Sequence, residues 1–145
     1  MHHVQQRLVI EVLKAYDISM EGKRAANRRP QHGCRPSSVH APFKENATVT
    51  ICHTRTKDLP GTCKQAEILV AAAGKAKMLD ASYVGENTTV IDVGINVDEN
   101  GKLCGDVAAE TLEEKSGKLT PVPGGVGAVT TAVLAKHLVQ AALRK

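Results

Sequence analysis

Residues 120–138 read TPVPGGVGAVTTAVLAKHL, in which a turn rich in proline and glycine leads directly into a segment of helical character. The prolines fix φ and favour extended backbone before them, and the glycines let the chain turn sharply or approach a neighbour closely. Apolar residues then recur at helical spacing, which predicts a helix from about Gly127. Such a turn offers N–H groups at a helix N-terminus to an anion or polar ligand, but a strand-to-helix turn without a ligand explains it equally well.

Short apolar runs alternate with helical segments before this turn. Strands are predicted at 47–52 (ATVTIC), 68–73 (ILVAAA) and 88–93 (TTVIDV), and helices or helical turns at 9–16, 59–65, 81–84 and 108–115. This alternation indicates an α/β protein with a Rossmann-like parallel sheet and helices on both faces.

The loops that follow these strands carry the candidate functional residues. Ligands of parallel sheets bind beyond the carboxyl ends of the strands. Residues 53–55, 74–75 and 94–96 all lie at such ends. We therefore expect them to face one crevice, together with the loop at Gly124.

Several single residues at these ends allow two interpretations each. Arg55, beside Thr54, can grip a phosphate such as the 2′-phosphate of NADP with its forked guanidinium, although a solvated surface arginine is the simpler alternative. Ile95 could support a planar ring or belong to the core. Asp92 is either a charged strand end or a backbone anchor, and Asp106 either caps the following helix or orients a loop.

The composition limits the classes of protein to which the chain can belong. Its 145 residues make one domain or a fragment, and 42% hydrophobic residues suffice for a core. One Phe, two Tyr and no Trp argue against a platform on which nucleic-acid bases stack. There is no run of about 18 apolar residues and no secretory signal, so we expect no membrane partner.

Cysteine and histidine usage favours a reducing compartment and no metal site. The four cysteines, which include no C-x-x-C pair, are Cys34, Cys52, Cys63 and Cys104. Zinc or a disulfide framework is not expected from this spacing, and the cytoplasm fits it best. His2, His3 and His137 are interpreted as surface or tag-like residues, and no nucleophile–base pair is visible.

The N-terminal part differs in character from the rest. Residues 1–44 hold eight Lys or Arg against three Asp or Glu, and residues 27–43 (NRRPQHGCRPSSVHAPF) show neither helical nor strand periodicity. Alone, this segment predicts a loop or disordered linker. Its charge allows a basic nucleic-acid-binding module as a weaker alternative function.

Five motifs together are more specific than any one of them. In chain order, ENATVTICHTRTKDL, ILVAAAGK, VIDVGIN, KLCGDV and TPVPGGVG resemble the C-terminal NAD(P)-binding domain of bifunctional methylenetetrahydrofolate dehydrogenase/methenyltetrahydrofolate cyclohydrolase. The resemblance extends from residue 44 to about 143, and residues 11–26 resemble the segment that leads into the first strand of that domain. It implies tetrahydrofolate derivatives as substrates and a homodimer.

The resemblance also implies a cofactor site. Its cofactor-binding residues would be Thr54, Arg55, Gly74, Ile95, Gly124, Gly125 and Thr130. Arg55 and Thr54 would contact the adenosine ribose or its phosphate, and Ile95 would lie against the nicotinamide. Gly124, Gly125 and Thr130 would shape the loop between cofactor and folate. The expected cofactor is NADP, with NAD as a possibility.

The sequence departs from the family in two respects. The family's catalytic lysine and tyrosine belong to an N-terminal substrate domain that this sequence does not contain. We therefore expect no catalytic residue in the chain and no turnover by the chain alone; a non-catalytic, truncated product is the competing interpretation. In addition, the family's GRS…VGRP phosphate loop is replaced here by the residues from 27 to 43.

We hypothesise that this replacement is a shift of reading frame. If the codons of residues 28–43 are read one base out of register, the genetic code permits VGRSTVVGRPASMLLL, which is similar to the family's loop and following helix. Residues 1–43 would then be a remnant of the inter-domain helix followed by a frame-shifted, disordered segment. Residues 44–145 would be a partial NAD(P)-binding domain whose first strand and phosphate loop are disrupted. On this hypothesis the basic charge is an artefact, and no nucleic-acid partner is expected.

Overall fold

Seven strands and three helices make up the part of the chain that the computed structural model describes, residues 2–28, 46–112, 117–122 and 124–143. In chain order they are α1 (His2–Ala15), β1 (Arg24–Arg28), β2 (Thr48–Cys52), α2 (Leu59–Lys64), β3 (Ile68–Ala71), β4 (Thr89–Asp92), β5 (Asn96–Val97), β6 (Leu103–Cys104), β7 (Lys118–Leu119) and α3 (Val126–Leu143).

Five of the strands form one parallel sheet. Their order is β2-β1-β3-β4-β7, and β5 and β6 pair with each other in a separate antiparallel hairpin. Parallel neighbours require crossover connections, which place helices on the faces of a sheet. The predicted α/β fold with a Rossmann-like parallel sheet is confirmed.

The two faces of the sheet pack against different helices. On one face, Ile68 and Val70 of β3 lie in a cluster with apolar side chains of α1 and with Val126 of α3. On the other, Leu69 clusters with Cys63 of α2. Successive residues of a strand point to opposite faces, so the continuous apolar run of β3 serves both clusters. The prediction of helices on both faces is confirmed.

The first strand is intact, and the prediction that it is disrupted is wrong. β1 lies between β2 and β3 and pairs with both, Ala25 with Val49 on one side and with Ile68 on the other. Four of its five residues are buried although its sequence, RAANR, lacks β-branched residues. Pairing on both sides outweighs its weak strand propensity, which depends strongly on context.

Residues 29–45 lie outside the described part of the chain. The predictions made there, namely a scrambled phosphate loop, a shifted reading frame and a lack of order, therefore stay predictions. The division of the chain at residue 44 also stays a prediction, and β1 belongs to the same sheet as the strands that follow that division.

The shortest elements depart most from the sequence-based expectation. The helix expected over 108–115 is a single 3-10 turn at Ala109–Thr111, and residues 113–116 lie outside the described part. The β5–β6 hairpin and β7 were not predicted, because two-residue strands are too short to show periodicity. By contrast, α3 begins one residue before the predicted Gly127.

Candidate functional site

The carboxyl ends of four neighbouring strands form a row along one edge of the sheet. The register pairs Cys52 with Arg28, Arg28 with Ala71, and Ala71 with Asp92. Since neighbouring strands lie about 4.8 Å apart, the end of β2 lies roughly 14 Å from the end of β4. The predicted location of the strand-exit loops at a common edge is confirmed, and their contacts with a ligand stay predictions.

The loop after β2 is a tight turn that exposes Thr54 and Arg55. The Thr56 hydroxyl accepts the N–H of His53 at 2.9 Å, and His53 Nδ1 accepts the N–H of Arg55 at 3.1 Å. Both side chains of interest are exposed. The turn is held by bonds within itself, so the Arg55 guanidinium is presented at the edge of the sheet next to β1.

The loop after β3 is organised around a buried carboxylate. Asp106 Oδ2 accepts the N–H groups of Ala73 at 2.6 Å and Gly74 at 3.0 Å, and its Oδ1 accepts the N–H of Lys75 at 3.0 Å. Gly74 has φ +70°, which glycine adopts without strain, and nothing lies within 4 Å of where its Cβ would be. The N–H groups of this loop are thus used internally, while its outer surface leaves open space for a ligand.

The same carboxylate reaches the loop after β4. Asn96 Nδ2 donates to Asp106 Oδ1 at 2.8 Å, which gives Asp106 four donors from two loops. Of the two interpretations, loop orientation is therefore confirmed for Asp106. Helix capping is wrong, because the 3-10 turn at Ala109–Thr111 has no side-chain cap.

Asp92, the last residue of β4, is a backbone anchor. Its Oδ1 accepts the N–H groups of Gly94 at 2.8 Å and Asp106 at 3.1 Å, and its Oδ2 accepts that of Val107 at 3.0 Å. A Cβ at Gly105 would overlap this carboxylate, so only glycine allows the segment after β6 to come so close. Burial raises the pKa of Asp92; the three N–H donors oppose this, and the nearby Asp106 adds to it.

Ile95 projects from the loop after β4 into solvent. Its side chain is 70% exposed, so the interpretation of Ile95 as a core residue is wrong. The neighbouring backbone is fixed on both sides by the bonds of Gly94 and Asn96 to the two buried carboxylates. An exposed apolar side chain on a fixed loop is suited to supporting a planar ring.

The glycine-rich turn before α3 borders the same edge. The Thr120 hydroxyl accepts the N–H of Asp92 at 2.9 Å, which ties the end of β7 to the end of β4. Gly124 has φ +98°, and a Cβ at Gly125 would overlap the carbonyl oxygen of Pro121. Gly125 is therefore required by packing within the turn. The side chain of Thr130 lies outside the described part of the chain.

An apolar cavity lies behind this turn. It has a volume of about 470 Å³, lies between α1, α3 and the end of β4, and includes Gly124 and Gly125 in its wall. Thr54, Arg55, Gly74 and Ile95 do not line it. The cavity thus occupies the helix-covered face, whereas the predicted cofactor residues lie along the open edge.

Two thiols and a guanidinium lie buried below the row of strand ends. Cys52 and Cys63 are free and fully buried, and both belong to the cluster on the α2 face. The hydrogen bond from Cys63 and the positive charge of Arg28 lower the pKa of Cys52 to about 7 against the effect of burial. The same hydrogen bond and burial raise the pKa of Cys63. The two groups therefore share one negative charge more readily than they carry two.

Neither a metal nor a membrane site is apparent in the described ranges. No group of three or more His, Cys, Asp or Glu side chains among the described residues is arranged to hold a metal ion. Within that same part of the chain, no helix has the length and hydropathy needed to cross a bilayer.

Comparison with known proteins gives a consistent family match. The sequence model described as "Tetrahydrofolate dehydrogenase/cyclohydrolase, NAD(P)-binding domain" matches residues 5–145. The chain is 55% identical over 138 residues to the "Bifunctional protein FolD" of Clostridium botulinum (strain Okra / Type B1), covering 94% of this chain and 48% of the relative. The protein of the same name from Carboxydothermus hydrogenoformans is 55% identical over 137 residues, which cover 92% of this chain and 47% of that protein.

Solved structures agree with the sequence comparison. The bifunctional FolD methylenetetrahydrofolate dehydrogenase/cyclohydrolase of Campylobacter jejuni superposes with a TM-score of 0.85 at 40% identity, covering 97% of this chain and 50% of that one. The Trypanosoma brucei dehydrogenase-cyclohydrolase complexed with NADP cofactor and inhibitor gives a TM-score of 0.81 at 28% identity, covering 98% of this chain and 52% of that one. The chain spans about half the length of the relatives it matches.

Proposed function

We propose, from the premise that the chain belongs to the tetrahydrofolate dehydrogenase/cyclohydrolase family, that it is the cofactor-binding half of an enzyme of one-carbon metabolism. The enzyme would oxidise 5,10-methylenetetrahydrofolate with NADP and hydrolyse the 5,10-methenyl product. The observation that supports this best is the row of strand ends. It presents Arg55, Gly74 and Ile95 in succession along one edge of a parallel sheet.

The described residues fit a dinucleotide lying across the sheet. Arg55 and Thr54 would hold the adenosine ribose and its phosphate, and the open surface at Gly74 would let the backbone approach the middle of the molecule. The exposed Ile95 would support the nicotinamide ring. When bound, the cofactor supplies a hydride acceptor, and the residues named here contribute orientation and exclusion of water. Gly124, Gly125 and Thr130 would shape the boundary with the folate.

The charge at the end of β2 favours NADP over NAD. A carboxylate after this strand would prefer a ribose 2′-hydroxyl, whereas an arginine pairs with a 2′-phosphate. Residues 53–57 include Arg55 and no acidic residue, and Asp58 is engaged in capping α2, where it accepts the N–H of Gly61 at 3.3 Å. We therefore propose NADP as the preferred cofactor, with NAD as the weaker one.

The decisive experiment is a titration of the full chain with both cofactors. Arg55→Ala should weaken binding of NADP by about tenfold or more, as expected for a lost charge-assisted hydrogen bond, and should leave NAD unaffected. Arg24→Ala is a matched control, because Arg24 is also exposed but begins β1 at the opposite edge of the sheet. A loss of affinity for both cofactors, or an equal loss in the control, would contradict the assignment of Arg55.

Turnover is not expected from this chain. The family places its catalytic lysine and tyrosine in the substrate domain, and transition-state stabilisation needs groups that contact the folate. The purified chain should therefore form no NADPH when 5,10-methylenetetrahydrofolate and NADP are supplied. Folate-dependent NADPH formation that disappears in Arg55→Ala would overturn this expectation, and cofactor binding by a truncated, non-catalytic product would leave it intact.

A second titration tests the reading-frame hypothesis. N–H groups of a phosphate loop at a helix N-terminus are a main source of affinity for a dinucleotide. Replacing residues 28–43 with VGRSTVVGRPASMLLL should increase the affinity for NADP by orders of magnitude and should preserve the preference for NADP. Equal affinity of the two versions would count against a scrambled loop, and a preference for NAD in the repaired version would count against Arg55.

A homodimer in the reducing cytoplasm is the proposed physiological form. Val97 and Leu103 face each other across the β5–β6 hairpin and are both exposed, and a two-stranded ribbon leaves its outer edges unpaired. The three described cysteines are free thiols, as in proteins of a reducing compartment. Light scattering should give a dimer for the chain and a monomer for Leu103→Asp. Leu138→Asp, at an exposed leucine of α3, is the control and should remain dimeric.

A further inference from the structure

Asp106 connects two loops to which the proposed function assigns different parts of the cofactor site. Its carboxylate accepts three consecutive N–H groups after β3, those of Ala73, Gly74 and Lys75, and the side-chain amide of Asn96 after β4. A carboxylate offers about four acceptor positions, so these four donors use its full capacity. Because the residue is also fully buried, it has no acceptor position left for a ligand.

This arrangement excludes a direct chemical role for Asp106. A general base must have a free lone pair within reach of the substrate proton, and each lone pair here faces an amide N–H. The role that remains is mechanical. The loop after β3 carries Gly74, the loop after β4 carries Ile95, and Asp106 lies between them and bonds to both.

The bond through Asn96 is the connection between the two loops that can be removed by itself. Asn96 donates to Asp106 Oδ1 at 2.8 Å, while Asp92 holds Gly94 and the N–H of Asp106 from below. By contrast, the turn at residues 53–56 is closed by bonds among its own members and has no printed bond to either carboxylate among those described above. Loosening the Asp106 connection should therefore disturb the two inner loops and leave the outer turn in place.

We propose that Asp106 is a positioning residue that locks the loops after β3 and β4 into one surface for the nicotinamide half of the dinucleotide, acting through backbone amides and Asn96 without touching the cofactor. The proposal rests on the proposed cofactor function. It adds a division of the site: the adenosine end depends on a self-contained turn, and the nicotinamide end depends on one buried carboxylate.

Two ligands separate this role from a general loss of structure. NADP reaches both ends of the site, whereas adenosine 2′,5′-bisphosphate occupies only the adenosine end. Asn96→Ala in the full chain should weaken binding of NADP by about tenfold, as for one lost hydrogen bond, and should leave binding of adenosine 2′,5′-bisphosphate unchanged. Equal weakening of both ligands would mean that Asn96 is merely structural, and no weakening of NADP would also overturn the proposal.

Amide hydrogen exchange of the ligand-free chain provides a readout that does not depend on cofactor binding. Asp106→Asn should accelerate exchange at residues 73–75 and 94–96 together, because an asparagine cannot accept from all four donors. Asp98→Asn is the matched control, since Asp98 accepts two backbone N–H groups within the β5–β6 hairpin at 2.9 Å each. If the wild-type chain binds neither ligand, the proposed function fails for this chain. In that case unchanged exchange at 94–96 in Asp106→Asn would overturn the locking role, and faster exchange at both loops would uphold it.

Discussion

Two regions at the carboxyl edge of the sheet bury charge in opposite ways. At the end of β4, Asp92 accepts three backbone N–H groups, and Asp106 beside it accepts four donors. At the end of β1, two strands away, Arg28 is equally buried, but its Nη2 donates to a weak acceptor, Met78 Sδ at 3.5 Å. Its Nε and the Oδ1 of the neighbouring Asn27 lack hydrogen-bond partners among the described residues.

The contrast shows what makes a buried charge tolerable in this fold. Backbone N–H groups surround the carboxylates because the strand-exit loops were built around them, with glycine wherever a Cβ would intrude. The guanidinium of Arg28 occupies a position where the neighbouring strand β3 has only apolar residues, ILVA. A buried charge without full compensation destabilises the folded state. This fits the hypothesis that valine is the in-register residue at position 28.

The largest expected effect comes from crowding the acidic pair. Gly105→Ala should lower the free energy of unfolding by about 3 kcal/mol, because its methyl group would overlap the Asp92 carboxylate and neither group can leave the core. Denaturant unfolding gives the value. Gly127→Ala, in the open first turn of α3, should instead be neutral or stabilising. Equal effects of the two substitutions would mean that the approach of Gly105 to Asp92 is not a close one.

A somewhat smaller effect of opposite sign is expected at Arg28. Arg28→Met keeps a long side chain, removes the buried charge and should raise the free energy of unfolding by about 2 kcal/mol. The same measurement on Arg24→Met, at the exposed start of the same strand, should show little change. A less stable Arg28→Met variant would show that the guanidinium is compensated well enough to stabilise the fold.

The thiol pair near Arg28 should respond through its titration. Cys63→Ala removes the hydrogen bond that most lowers the pKa of Cys52, so that pKa should rise from about 7 toward 9.0. Cys63→Ser keeps a donor and should preserve the low value. Ultraviolet absorbance of the thiolate, in a background with serine at Cys34 and Cys104, follows the change. A pKa that stays near 7 in Cys63→Ala would assign the effect to Arg28 alone.

The smallest effect is the pH dependence that arises from Asp92. Its pKa is raised in the folded state, so between the ordinary aspartate value near 4 and the raised value the folded chain binds more protons than the unfolded one. The contribution of Asp92 to stability is therefore full at low pH and declines as the pH rises through this window. The stability difference between wild type and Asp92→Asn should widen toward acid. A difference that narrows toward acid would mean that the N–H donors outweigh burial.

The parts of the fold that were predictable have a local signal. TVTIC and ILVA are apolar or β-branched runs, and the periodicity after Gly127 spans several turns, so β2, β3 and α3 follow from their own residues. RAANR has no such signal. It becomes a strand because two neighbours pair with it, a cause that lies 24 and 43 residues further along the chain.

The site divides in the same way. The position of Arg55 and Gly74 at strand ends follows from the strand pattern, and so does the edge at which they lie. The links made by Asp106 do not, because they join it to residues up to 33 positions away through side-chain-to-backbone bonds. The motif KLCGDV contains the one available clue, since a glycine directly before an aspartate permits a close backbone approach. That clue gives no information on which backbone is approached.

The central position of β1 also sets a schedule for the newly made chain. Ala25 pairs with Ile68, so the second neighbour of β1 does not exist until at least 43 more residues have been synthesised. At roughly 5–20 residues per second, this strand waits for several seconds on the ribosome with one side unpaired. A strand that carries Asn27 and Arg28 remains well hydrated during that interval, whereas an apolar one would depend on chaperones. The residues that burden the finished sheet are thus the ones that keep its unfinished edge in solution.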